Sequence, residues 1–133
     1  MSDEVLSFED LTVDFEVGGT THRAVDKVSF GVRPGEVLAV VGESGSGKSV
    51  TALAALGLLP SNASVGGRIS FGGDDVLSMS RAELTTLRGR RIAMIFQDPV
   101  GALDPVFTIG AQLVEIIRTH QPATSTARRR RRS

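Results

Sequence analysis

Apolar and polar positions partly alternate through residues 5–16, VLSFEDLTVDFE, the two-residue period of a half-buried strand. Gly18-Gly19 marks a turn, and Arg23–Val32, RAVDKVSFGV, predicts a further strand that Pro34-Gly35 stops. The opening is therefore expected to be hairpin-rich and antiparallel. Then the pattern changes. Val37–Val41, VLAVV, is apolar at every position, as expected of a strand covered on both faces. A glycine-rich loop follows, and Lys48–Leu59, rich in Ala and Leu, predicts a buried helix ended before Pro60.

Further along, Gly66–Gly73 reads as a short strand between glycine pairs. Ser80-Arg81-Ala82-Glu83 has the spacing of a capping box, in which the serine accepts the Glu83 N–H and the carboxylate accepts the serine N–H. The helix it starts should run to Leu87–Arg88, with Gly89 as its stop. Ile92–Phe96, IAMIF, predicts a second buried strand. Ile109, Leu113, Ile116 and Ile117 recur at helical spacing within Ile109–His120, and Pro122 closes that helix. No internal repeat occurs, and the low-complexity segment is the end, ATSTARRRRRS.

The 133 residues, 41% hydrophobic and 23% charged, suit one globular domain with a real core. The domain is expected over 1–122, followed by a disordered Ser/Thr/Arg-rich tail over 123–133. Without cysteine there is no disulfide, thiolate metal site or cysteine nucleophile. The start, MSDEVLSFEDL, lacks the basic-then-apolar layout of a signal peptide, and Val50–Leu59 is far short of the ~20 apolar residues of a membrane span. A soluble chain is expected, reaching a membrane only through partners. The zero net charge hides an asymmetry: residues 1–127 carry ten Lys/Arg against fifteen Asp/Glu, and Arg128–Arg132 restore the balance. Nothing in the acidic part suggests a nucleic-acid face.

Gly42-Glu43-Ser44-Gly45-Ser46-Gly47-Lys48-Ser49 fits G-x-x-x-x-G-K-[ST]. Glycines let the backbone bend around a phosphate with successive N–H groups turned inward, and the helix start adds its positive dipole end. Lys48 supplies a mobile charge for the β- and γ-phosphates, and the Ser49 hydroxyl is placed to ligate Mg²⁺. The bland alternative is a flexible Gly/Ser loop. An apolar run directly before it and a helix directly after it argue for the phosphate reading. The motif is silent on base and chemistry.

A GTP switch wants an Asp-x-x-Gly after a strand, and Asp98-Pro99-Val100-Gly101 formally supplies one. Yet Gln97 separates Asp98 from the apolar run, Pro99 lacks an N–H, and no Asn-Lys-x-Asp is present. The loop, the phrase Ile95-Phe96-Gln97-Asp98-Pro99, and Ala102-Leu103-Asp104-Pro105 together resemble the ATP-binding subunits of ABC transporters. They look most like the oligopeptide/dipeptide/nickel importer branch, and AVDKVSFGVRPGE looks like that family's approach to the phosphate loop. The likeness spans residues 5 to about 120.

The resemblance implies an α/β P-loop NTPase fold of the ABC nucleotide-binding type, incomplete here. It would comprise an antiparallel β-subdomain, part of a parallel core and the start of a helical subdomain. It implies ATP and Mg²⁺ as cofactors. Gln97 falls at the family's Q-loop glutamine, reaching Mg²⁺ and the attacking water; a strand-end cap is the alternative. Phe15 falls where an aromatic stacks on adenine, though a Phe in such a strand also suits a core. Ser49 and Thr51 fall at the Mg²⁺ and α-phosphate positions. Expected partners are transmembrane permease subunits and a second nucleotide-binding subunit, at the cytoplasmic face of the membrane.

Hydrolysis in that family needs an LSGGQ-like signature, a strand ending in Asp-Glu and a switch histidine. The sequence contains no LSGG and no apolar run ending in Asp-Glu, and His22 and His120 read as surface residues. The expectation is a front portion, truncated or frameshifted before Arg128–Arg132, that binds ATP without efficient turnover. A non-functional fragment and a basic-tailed nucleic-acid binder are the alternatives.

Overall fold

The computed structural model describes residues 3–120. Its first two strands, β1 (Leu6–Val17) and β2 (Thr20–Val32), form the expected antiparallel hairpin. Gly18 and Gly19 make the turn with φ of +58° and +77°, a conformation that glycine adopts without steric cost. After the loop, helix α1 runs over Lys48–Ala55, followed by β3 (Ala63–Phe71) and a two-residue β4 (Asp74–Asp75). The four strands form one antiparallel sheet in the order β2-β1-β3-β4.

The alternation along β1 is only partial because the strand contains a bulge. Asp10 and Leu11 together oppose Gly67 of β3, so the pairing shifts by one between Glu9 and Thr12. Asp10 has φ +45° and donates its N–H to Ser29 Oγ at 2.8 Å. The shift changes the parity, so Phe8 before the bulge and Leu11 and Val13 after it are all buried. Val25, Ile69, Phe71 and Val76 are buried with them, and Phe8 stacks on Phe30 at 4.5 Å between ring centroids. β3 begins three residues earlier than the glycine pair suggested, with Gly66-Gly67 inside it, because Gly67 accommodates the bulge opposite.

Helix α1 is shorter than its composition predicts. It stops at Ala55 because Gly57, at φ +61°, closes a Schellman motif. Its N–H binds Ala54 O, and the Leu58 N–H binds Leu53 O, both at 3.0 Å. Ala54, Ala55 and Leu56 are buried.

Two expected strands are not formed. Val37–Val41 is irregular chain with Val37 95% and Val41 91% exposed. In Ile92–Phe96 only Ile92 pairs, in an isolated parallel bridge to Arg88, and Ile95 is 92% exposed. A strand exists only through its ladder, and among the described residues no segment lies alongside Val37–Val41 to exchange hydrogen bonds with it. The parallel core therefore has no ladder here, and the sheet that forms is wholly antiparallel.

Packing divides the chain into two units, one ending at Thr85 and the other starting at Thr86. The boundary falls inside helix α2 (Arg81–Leu87). The capping box that starts α2 is formed: Ser80 N–H donates to Glu83 Oε2 at 2.6 Å, and Glu83 N–H to Ser80 Oγ at 3.3 Å. The Ser80 N–H first, and then the Ser80 hydroxyl, hold the Glu83 carboxyl below the ordinary carboxylate range. Gly89, at φ +75°, follows the helix as expected.

In the second unit, helix α3 covers Ile109–His120, the span read from its periodicity. Ile109, Leu113, Ile116 and Ile117 are nonetheless exposed. Gln112 clamps the preceding turn: its Oε1 accepts the Asp104 N–H at 3.0 Å while its Nε2 donates to Asp104 O and Phe107 O. His120, expected on the surface, is half-buried, and a β-carbon on Gly89 would stand 2.6 Å from its ring. Arg90 donates to its carbonyl at 2.7 Å. The expected boundary at residue 122, Pro122 and Arg128–Arg132 lie outside the described residues.

Candidate functional site

The glycine loop ends where α1 begins, and the sheet holds that junction. Gly47 is the N-cap of α1 with φ +95° and ψ +5°, a left-handed conformation suited to glycine. It sits so close to β2 that a β-carbon there would lie 2.7 Å from Ala24 O and 3.1 Å from Val25 Cγ2. Beside Ala24, Arg23 forms a two-pronged ion pair with Asp14 of β1, Nε to Oδ1 at 2.8 Å and Nη2 to Oδ2 at 3.0 Å, and reaches Asp26 at 3.1 Å. The guanidinium holds Asp14 below the usual carboxylate range, and the two carboxylates raise the Arg23 pKa.

No side chain caps α1. The N–H groups of its first turn, at Lys48, Ser49 and Val50, have no acceptor within the helix and face the loop end with the positive dipole. Thr51 locks the junction: its N–H and its hydroxyl both donate to Gly47 O at 2.9 Å, and the side chain is buried. At the position assigned to the α-phosphate, the hydroxyl proton is thus engaged with the backbone. Ser49 is exposed.

Above this base Gly42–Ser46 forms an exposed loop closed by Ser46 N–H to Glu43 O at 3.2 Å, with Gly45 at φ +81°. Lys48 turns back over it. Its Nζ donates to Gly42 O at 2.6 Å, Glu43 O at 2.7 Å and Ser46 Oγ at 3.2 Å. A β-carbon on Gly42 would lie 2.5 Å from Ser46 Oγ, so the hydroxyl keeps this position only because residue 42 has none. Missing side chains, an uncapped helix start and one cation stand together at an exposed loop, the kinds of group that suit a phosphate.

The structure brings Gly42, Glu43, Ser46, Gly47 and Lys48 together by direct bonds or contacts, with Ser44 and Gly45 completing the loop. Phe15 stands near the end of β1, half-buried, paired with His22 on β2 and Ala63 on β3. Gln97 lies exposed in irregular chain of the second unit. Asp98 closes a local turn by accepting the Gly101 N–H at 3.1 Å. Among the described residues no group of three or more His, Asp or Glu side chains could hold a metal, and no helix is long and apolar enough to cross a membrane. Sequence reading missed Ala24 and Val25 as the seat of the loop. No motif signals them, since the contact joins residues 23 positions apart.

An apolar run, a phosphate-type loop and a helix carrying its lysine define the P-loop nucleotide-binding class. Residues 25–131 match the ABC transporter family model, and the chain belongs to that family, with its α/β P-loop NTPase fold class. It is 50% identical over 129 residues to the peptidoglycan transport ATP-binding protein YejF of Agrobacterium fabrum, covering 96% of this chain and 24% of that protein. The oligopeptide transport ATP-binding protein OppD of Mycobacterium tuberculosis is 44% identical, with 97% and 21% covered. The dipeptide transport ATP-binding protein DppD of Escherichia coli is 42% identical, with 96% and 39% covered. The chain thus spans between a fifth and two-fifths of the length of these relatives.

Proposed function

We propose that this chain binds ATP through Gly42–Ser49, as part of the nucleotide-binding subunit of a peptide importer. The observation that carries the reading is the seated, uncapped start of α1 beneath a loop whose glycines leave no β-carbon at the closest approaches. The loop N–H groups and Lys48 would hold the β- and γ-phosphates, and Ser49 would offer its hydroxyl to Mg²⁺. Thr51 keeps the helix start in place, whatever it adds at the α-phosphate. Phe15 as the adenine platform and Gln97 as the Mg²⁺- and water-facing glutamine complete the assignment by resemblance.

The named roles of these relatives, peptide and peptidoglycan transport, favour a peptide cargo over nickel. Permease subunits and a second nucleotide-binding subunit are the partners in this reading, at the cytoplasmic face of the membrane. Within this chain nothing matches an LSGG signature or an apolar strand ending in Asp-Glu, so ATP is bound without efficient turnover of the chain's own.

The test pairs binding of a fluorescent ATP analogue with steady-state phosphate release in Mg-ATP, for wild type and Lys48→Ala. Binding that disappears with Lys48, without turnover in either protein, is expected. Lys48-dependent turnover overturns the binding-only reading, and binding unaffected by Lys48→Ala overturns the site. Salt-sensitive retention on DNA, lost on deleting Arg128–Arg132, would instead favour the basic-tailed nucleic-acid reading.

A further inference from the structure

The ammonium of Lys48 has three donors, and all three are taken by its own loop: two by the carbonyls of Gly42 and Glu43, and the third by Ser46 Oγ. The two carbonyls belong to the backbone and are present whatever the side chains are. The third acceptor depends on two residue identities. Residue 46 must carry a hydroxyl, and residue 42 must lack a β-carbon, because that atom would lie 2.5 Å from Ser46 Oγ and 3.3 Å from Ser46 Cβ. Gly42 is not among the glycines with positive φ, so its backbone would accept alanine. What excludes a side chain there is the room the serine occupies.

We infer that Ser46 is a positioning residue for Lys48, a latch whose seat is provided by Gly42. The hydroxyl closes a ring of three acceptors that keeps the lysine folded over the loop in the absence of ligand. Its bond, at 3.2 Å, is the longest of the three, and so it is the one an incoming phosphate oxygen replaces. Lys48 then meets the phosphate with two bonds intact and is not recruited from solvent. This role rests on the nucleotide reading for its purpose, and on the geometry of the loop alone for its existence.

Lys27 and Lys48 are the only lysines in the chain. Lys27 lies exposed on β2 and serves as an internal reference. The experiment measures acetylation of both by an amine-reactive ester, by peptide mass spectrometry, in the full chain without nucleotide. Ser46→Ala should raise the Lys48-to-Lys27 rate ratio roughly three- to tenfold, the change in exposure that the net worth of one hydrogen bond supports. Gly42→Ala, which displaces the hydroxyl without removing it, should raise the ratio to a similar extent. The double variant should not exceed either single one, since both act on one bond. Equal ratios in wild type and Ser46→Ala overturn the latch, as does full additivity in the double variant.

A second arm adds ATP. Protection of Lys48 in wild type and in Ser46→Ala supports the exchange of hydroxyl for phosphate. If ATP leaves Lys48 unprotected in every variant while the contrast between variants stands, the latch is upheld and the nucleotide reading falls.

Discussion

Gly47 and Ala24 meet at a distance that admits no side chain: a β-carbon on Gly47 would lie 2.7 Å from the Ala24 carbonyl oxygen. The antiparallel hairpin thus serves as the seat of the phosphate loop, and its second strand sets where α1 starts. Gly47→Ala combines this contact with a left-handed backbone, which alone costs about 1–2 kcal/mol for a residue bearing a β-carbon. Denaturant unfolding should show at least that loss, and ATP-analogue binding should fall as it does in Lys48→Ala. Unchanged stability would mean that the loop is not seated on β2.

Gly67 answers the bulge in β1. It has φ +83°, and a β-carbon would run into the carbonyl oxygens of Glu9 and Asp10. Gly67→Ala should destabilise the sheet by more than Gly73→Ala, which also has positive φ but meets nothing within 4 Å. Paired thermal melts of the two variants check this, because the backbone strain is common to both and the collision is not.

Glu83 makes the start of α2 acid-sensitive. Its folded-state pKa is lowered from 4.5 by the Ser80 N–H and hydroxyl, so the carboxylate's contribution is present above the unfolded value and lost as pH falls through the folded one. An NMR titration should show the Ser80 amide moving below about pH 4.5, with the Glu83 midpoint beneath that of an unpaired glutamate. Glu83→Gln keeps an acceptor and should abolish the titration at Ser80.

Gln112 holds both ends of the Asp104–Phe107 turn with one amide. Gln112→Ala should speed hydrogen exchange at the Asp104 amide while leaving the amides in the middle of α3 unchanged. Gln112→Glu keeps the acceptor but loses both donated bonds, and should loosen the turn as well.

Val37 and Val41 project into solvent without a ladder, the arrangement that invites strand addition and aggregation. Val37→Lys/Val41→Lys should lower light scattering of the purified chain and change unfolding free energy by no more than about 0.5 kcal/mol, as for other exposed sites. A large destabilisation would show that these residues are packed in solution.

Local signals in the sequence translated directly into structure wherever neighbours in the chain satisfy one another. The Gly18-Gly19 hairpin, the Ser80–Glu83 capping box and the Ile109–His120 helix each carry their hydrogen-bond partners within a few residues. The phosphate loop was legible for the same reason, since its lysine and the carbonyls it binds lie within six positions. Lys48–Leu59 was read too long because composition does not show that Gly57 adopts a left-handed conformation and ends the helix early.

Val37–Val41 and Ile92–Phe96 show the limit of that reading. Each has the apolar run of a buried strand, but a run specifies only what it would bury, and a ladder needs a second segment at 4.7–4.9 Å. The sequence by itself determined the hairpin, the caps, the helix periods and the glycine-lysine loop, because their hydrogen bonds are local. Only the tertiary structure decided that β2 seats Gly47 and that the apolar runs stay open, because those outcomes depend on which atoms meet across space.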